Sequence, residues 1–324
     1  MTAIFATFVS SLIACGVYLR LAKSWKILDR PNERSSHREP TPHGGGVPLL
    51  IAFAFGFTLM GPWVFELSWL FFAAIFLMLV GVLDDSRGLS VAVRFLAYTV
   101  VSISTAAVVL NLPSSSITPW VLLQWLCLSF AIIWALNLYN FMDGIDGIAA
   151  TQCVLASLGA AFFANTHSEA AAYTLFCLLL AASALGFLAW NWAPARLFLG
   201  DAGSIPLGFL LAGLAGFGAT QGFVSFAVWA VLLAAFIGDA SWTLTARLLA
   251  GKRISQAHNQ HGYQRLSRHW GSHQPVVLLL LALYVFWLFP IAWFLHTNPD
   301  KAAYLVILAY IPIALGMAKT AKLT

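Results

Sequence analysis

Eleven apolar runs joined by short polar segments constrain this chain more than any other feature. A membrane-spanning helix needs roughly 20 mostly apolar residues. Runs of about that length fall near 2–22, 46–62, 66–83, 92–111, 119–138, 148–165, 170–190, 204–220, 222–246, 275–296 and 301–319. Some are short or interrupted by Gly and Pro, so ten to eleven spans are expected. A soluble domain is excluded, because 60% of the 324 residues are hydrophobic where about half is usual. The 13 Trp and 25 Phe suit a bilayer and its interfaces. With no long-period repeat or low-complexity tract, residues 1–324 read as one all-α polytopic membrane domain.

The four cysteines, Cys15, Cys127, Cys153 and Cys177, lie singly in apolar runs and imply neither a metal site nor a disulfide framework. Leu12 to Cys15 resembles a lipoprotein cleavage box, but no Lys or Arg precedes it as a signal peptide requires.

The connecting segments alternate in charge. One set holds 24–46, 84–91, 137–148, 191–204, 247–275 and the tail after 319; the other holds the short turns between. Of the Lys and Arg in these segments, only Lys301 falls in the second set. The positive-inside rule then places the first set in the cytoplasm, the N-terminus outside and the C-terminus inside. Asp84, Asp85, Asp143, Asp146 and Asp201 consequently emerge on one face, which suggests a single site.

Each motif there has an ordinary reading and a chemical one. Asp84 and Asp85 close a long apolar run, and adjacent carboxylates at a membrane border call for a cation or basic partners. In Asn137-Leu-Tyr-Asn140-Phe-Met-Asp143-Gly144-Ile-Asp146, polar groups recur every third residue. On a helix they drift only about 60° per step and share one side. A helix cap needs one such group, not four. Asp201 opens the eighth run, where an N-cap is ordinary but an oxygen ligand for Mg²⁺ is equally natural. His37, Arg38, His43 and Gly44–Gly46 offer anion-binding groups, although small residues also serve close helix packing. His258, His261, Arg265, Arg268 and His269 form a basic loop that would face anionic lipid or substrate. Hard oxygen donors elsewhere favour Mg²⁺, or Mn²⁺, over Zn²⁺. Asp239 lies inside a span, where a carboxylate is functional by default.

Acids for a divalent metal beside Arg, His and glycine N–H groups describe phosphoryl transfer between a soluble donor and a lipid acceptor. On the residues Leu83-Asp84-Asp85, Asn137 to Ala149, Phe198 to Gly208 and the histidine-containing loop, the chain resembles the polyprenyl-phosphate N-acetylhexosamine-1-phosphate transferases. The likeness runs from about Arg34 to His269. This family includes bacterial enzymes that begin O-antigen and the phospho-MurNAc-pentapeptide translocase.

The resemblance implies that a UDP-N-acetylamino sugar and undecaprenyl phosphate give undecaprenyl-diphosphate-sugar and UMP with Mg²⁺, at the cytoplasmic face of a bacterial inner membrane. It implies Asp201, with Asp85, as metal ligands. Asp84, Asp85 and His261 would be catalytic, one acid of the pair serving as base. Arg38, Asn137, Asn140, Asp143, Gly144, Asp146, Phe198 and His258 would bind substrate, with Phe198 stacking on uracil. Membrane lipids are expected partners, nucleic acid is not, and a homodimer is one arrangement open to the chain. The family's last loop often reads His-x-His-His, where this chain has His261, Gly262, Tyr263 and Gln264. That departure leaves the donor open; the chain resembles the surface-polysaccharide branch using 6-deoxy amino sugars such as UDP-FucNAc or UDP-QuiNAc more than the UDP-GlcNAc branch, which is the alternative. A transporter is the rival from another class, but its charges would sit at the midplane.

Overall fold

The computed structural model describes residues 1–29, 31, 39–61, 63–112, 117–252 and 258–323. Every apolar run forms helix, as backbone in hydrocarbon must satisfy its own hydrogen bonds. In order these are α1 (Thr2–Ser24), α2 (Gly46–Thr58), α3 (Phe65–Arg87), α4 (Val91–Val109), α5 (Pro119–Met142), α6 (Ile148–Ala164) and α7 (Ala171–Asn191). They continue as α8 (Asp201–Thr220), α9 (Phe226–Leu232), α10 (Ala234–Leu249), α11 (Gly262–Trp270), α12 (Gln274–Leu283), α13 (Phe289–Thr297) and α14 (Ala302–Thr320). The antiparallel pair β1 (Leu28–Asp29) and β2 (Thr41–Pro42) is the sole sheet among the described residues.

Among the described residues eight helical units are long and apolar enough to cross a membrane, counting α12 and α13 as one through their π-helical junction. The other three runs are of two kinds. Helices α2 and α6 are apolar but only 13 and 17 residues long. Run 222–246 is broken into α9 and α10, which meet at 77°. The bend frees carbonyls that a straight helix would use, and the buried Gln152 amide donates to one of them, Leu232 O, at 3.0 Å. Neither Gly nor Pro marks that break in the sequence.

Helix α8 lies at the centre, packed by α3 and α5 along its length and by α2 and α6. It is apolar all round, as a buried helix should be, and glycines let its neighbours come close. A Cβ on Gly81 of α3 would lie 2.6 Å from Ala202 Cα, and one on Gly46 of α2 would overlap the Gly203 backbone. Backbone-to-backbone approach of this kind is how small residues drive helix association without water. It brings the first turns of α2 and α8 together with the last turn of α3.

The same junction corrects one reading of Gly44–Gly46. The N–H groups of Gly45 and Gly46 donate to Phe198 O at 2.8 Å and Leu199 O at 2.9 Å, while Phe198 N–H donates to Pro42 O at 2.8 Å. These two amides fasten the 197–200 loop and are therefore not offered to an anion.

Candidate active site

Where α3, α5 and α8 meet the α7–α8 and α5–α6 connections, a cavity of about 540 Å³ opens. Asp85, Asn140, Asp143, Gly144, Asp146, Phe198 and Asp201 line it, drawn from three stretches of chain. Their convergence depends on α8, whose first turn is the hub.

The adjacent acids of α3 have different surroundings. Consecutive helical residues point about 100° apart, and only Asp85 reaches the cavity. Asp85 accepts from the backbone N–H groups of Asp201 and Ala202, at the positive end of α8. Asp84 does not line the cavity but lies beside Asp201: Oδ1 accepts from Leu89 N–H at 2.8 Å and Oδ2 from Arg94 Nη1 at 2.6 Å. Arg94, on α4, also lies 3.9 Å from Asp201 Oδ2. It spans the two acids that a shared site would otherwise set in repulsion.

The polar stretch at the end of α5 divides in the same way. Asn140 Nδ2 donates to Asp201 Oδ1 at 2.8 Å and to Ser204 Oγ at 2.9 Å, which fixes the Asp201 rotamer. Asn137 does not join them, because its amide donates to Ile133 O one turn back at 2.7 Å. That removes it from the cavity. Asp143, at the C-cap of α5, accepts no hydrogen bond among the described residues. Burial, then the charges of Asp201, Asp146 and Asp85, push its carboxyl well above the ordinary carboxylate range. Asp146 is tied down: Oδ2 accepts from Ala195 N–H at 3.0 Å and lies 3.1 Å from His273 Nδ1.

Gly144 has a packing role beside its place in the lining. A side chain there would meet Tyr263 Oη and come 2.9 Å from Gln264 Nε2. The glycine therefore admits α11 to the cavity wall.

The histidine loop is placed differently from expectation. His261 is 2% exposed and lies off the cavity. Its Nδ1 sits 3.1 Å from Asp239 Oδ1, and the ring stacks against His258, 5.0 Å between centroids. Asp239 also accepts from Gly262 N–H at 3.0 Å, Tyr263 N–H at 2.8 Å and Thr243 Oγ1 at 3.2 Å. It caps the first turn of α11 and leaves no lone pair obviously idle. His261 and His258 thus belong to the scaffold behind the wall, and direct substrate contact by either is not what the geometry shows. Burial, His261, Arg247 and Lys252 bring the His258 imidazole down to about 4. Arg38 lies outside the described residues.

His43, expected as an anion-binding group, lines the cavity. Three further lining residues were given no role from sequence. Asn191 bridges, accepting from Gly147 N–H at 2.9 Å and donating to Leu197 O at 2.9 Å. His273 holds Asp146, and Gln264 presents its amide beside Gly144. Asn191 and His273 each carried one signal, a polar side chain at the edge of an apolar run.

Among the described residues no three His, Cys, Asp or Glu side chains group to hold a metal. Asp85 and Asp201 remain as a pair of hard oxygen donors, held together by the backbone of α8.

The description "Glycosyl transferase family 4" matches residues 67–219, which hold Asp84, Asp85, the Asn140–Asp146 stretch and Asp201. A probable undecaprenyl-phosphate N-acetylglucosaminyl 1-phosphate transferase of Bacillus subtilis is 27% identical, over 86% of this chain and 80% of its own. A decaprenyl-phosphate N-acetylglucosaminephosphotransferase of Mycolicibacterium smegmatis is 28% identical, over 77% and 71%. A phospho-N-acetylmuramoyl-pentapeptide-transferase of Gloeothece citriformis is 30% identical, over 62% of both. Over the region that carries these motifs the chain is thus similar to glycosyl transferase family 4, in line with the polyprenyl-phosphate N-acetylhexosamine-1-phosphate transferases.

Proposed function

We propose that the protein transfers an N-acetylamino-sugar 1-phosphate from a UDP-sugar to undecaprenyl phosphate and releases UMP. The observation that carries this reading is the single cavity into which Asp85, Asp143 and Asp201 face, with Asn140 fixing one of them. An oxygen of the acceptor phosphate bonds to the sugar-bearing phosphorus, the bond from that phosphorus to the UMP oxygen breaks, and UMP departs. Little covalent chemistry is asked of the protein in such a transfer, so positioning and charge dominate.

Asp85 and Asp201 fit Mg²⁺, which commonly takes one or two carboxylates and completes its shell with substrate phosphates. When bound it would supply Lewis-acid polarisation of the diphosphate. Asn140 and Arg94 hold Asp201 from two sides. Asp143 lines the same cavity, where burial and its acidic neighbours push its carboxyl toward the neutral form. Phe198 supplies an aromatic face at the mouth, where a uracil ring would stack, and the Asp146–His273 contact keeps the 143–147 turn in place.

Behind the wall formed by Met142, Ile148 and Tyr263 lies an apolar groove of about 430 Å³, a suitable berth for part of a prenyl chain. The charge asymmetry of the connecting segments supports an acid cavity facing the cytoplasm of a bacterial inner membrane. Gln264, at a position where the family often has His, lines the cavity. The resemblance of the chain to the surface-polysaccharide branch favours a 6-deoxy donor such as UDP-FucNAc or UDP-QuiNAc and a product that begins O-antigen or a related surface polysaccharide. A second reading, UDP-GlcNAc, is favoured by the names of the relatives.

UMP release by purified protein, measured across a panel of UDP-sugars, tests both readings. Release is expected only with undecaprenyl phosphate and a divalent cation together, and fastest with a 6-deoxy donor. Fastest turnover with UDP-GlcNAc would select the second reading; no release with any UDP-sugar would overturn both.

A further inference from the structure

The turn that carries Asp143 is closed by a side chain from another helix. The last four carbonyls of a helix have no partner within it, and Phe141 O is one of these at the end of α5. Tyr263 Oη donates to it at 2.9 Å and accepts from Gly144 N–H. In a tight turn such a carbonyl and amide, three residues apart, bond to each other directly. Here one phenol oxygen stands between them, with Asp143 in the intervening backbone. The same oxygen lies within electrostatic reach of the Asp143 carboxyl.

Tyr263 is itself well anchored. It is 4% exposed, its N–H donates to Asp239 Oδ2 at 2.8 Å, and its ring stacks on His261 with centroids 5.7 Å apart. The hydroxyl reaches α5 because residue 144 has no side chain, since a Cβ there would overlap Oη. Gly144 is not among the glycines at positive φ, so its backbone would accept alanine and its task is to leave room. The two ends of Tyr263 serve different sides of one wall. With Met142 and Ile148 it lines the apolar groove, whereas Asp143 and Gly144 line the acid cavity.

We propose that Tyr263 is a positioning residue for the transfer, its hydroxyl fixing the Phe141–Gly144 turn and, through it, the direction of the Asp143 carboxyl in the donor cavity. This role rests on the reaction proposed above. Asp143 accepts no hydrogen bond among the described residues, so its direction is set by its backbone, and that backbone is tied by one oxygen. Groups that act on a substrate need such support to stay within about 0.5 Å of their working geometry.

Steady-state UMP release by the full chain tests this, with the best UDP-sugar and undecaprenyl phosphate varied in turn and rates expressed per folded molecule. Tyr263→Phe keeps the ring and deletes the oxygen. It should lower kcat/KM for the UDP-sugar about tenfold, the scale of one ordinary hydrogen bond. KM for undecaprenyl phosphate should stay within about twofold, because the ring that lines the groove remains. A loss of stability alone shrinks the folded fraction and moves neither constant. Gly144→Ala drives a Cβ into Oη and should cost about 10²-fold. Combined with Tyr263→Phe the Cβ has room, so the double variant should outperform Gly144→Ala alone. Wild-type constants in Tyr263→Phe, a loss confined to KM for the acceptor, or a double variant that loses the product of the two single effects would each overturn the role of the oxygen and leave the proposed reaction standing. No UMP release by the wild type with any UDP-sugar would overturn both.

Discussion

Asp239 and the acids of the cavity are all carboxylates in a membrane protein, yet they live in opposite circumstances. Asp239 receives hydrogen bonds from Gly262 N–H, Tyr263 N–H and Thr243 Oγ1, and touches His261 Nδ1. Asp143 receives none among the described residues, and Asp85 and Asp201 have exposed oxygens facing a polar opening. A fully partnered buried carboxylate is spending its charge on the fold, whereas clustered carboxylates short of donors are held ready for something absent from the chain itself. Partner count therefore separates scaffold from chemistry where burial alone does not.

The sharpest way to break that comparison is to neutralise one acid from the cavity. Asp201→Asn should lower kcat by about 10³-fold and leave the melting temperature unchanged or raised, since one like charge is removed. Next in size is Asp239→Asn. Breaking a buried charged network costs about 3–5 kcal/mol, so a fall of about 10 °C in melting temperature is expected. Turnover per folded molecule should stay within tenfold of the wild type, as measured by UMP release normalised to active-fold protein.

The asparagines sharpen the same contrast with a smaller effect. Asn140→Ala frees the Asp201 rotamer and should cost about 10²-fold in kcat. Asn137→Ala loses only a bond to its own helix and should stay within twofold in the same assay.

The smallest effect concerns the scaffold's pH response. His258 stays neutral in the folded protein down to about 4, while an unfolded chain protonates it near 6.5. Between those values the unfolded state binds more protons, so stability falls as pH drops through that window. The group is partly exposed, so solvent screening limits the loss to about 1 kcal/mol, or 1–2 °C. His258→Gln should flatten the melting curve between pH 6.5 and 4, where the wild type slopes.

Much of the fold was legible because the bilayer demands it. Runs of about twenty apolar residues can only be helix there, and all eleven are. What sequence could not show was which runs fall short and where one breaks. Helix α2 begins where its run begins but ends at Thr58, and the carbonyl of Leu232 at the α9–α10 bend is taken up by Gln152, eighty residues away. The second is a tertiary fact.

The candidate site divides along similar lines. Asp85, Asn140, Asp143, Asp146 and Asp201 could be found because excess polarity at an apolar run has no cheap explanation. Asn137 shares their spacing but not their surroundings, since its amide is satisfied by Ile133 O on the preceding turn of α5. His261 looked available in a basic loop until Asp239 drew it inward. Asn191, His273 and Gln264 gave little warning, as each reaches the cavity only through the packing of α7, α11 and α12 around it.

The most direct test sets Asp85→Asn beside Asp239→Asn and reads UMP release per folded molecule and melting temperature for both. Asp85→Asn should lose nearly all turnover at full thermal stability, and Asp239→Asn should lose stability while its folded fraction still turns over. If Asp85→Asn instead keeps wild-type turnover, or Asp239→Asn silences folded protein at an unchanged melting temperature, the division between chemistry and scaffold is contradicted.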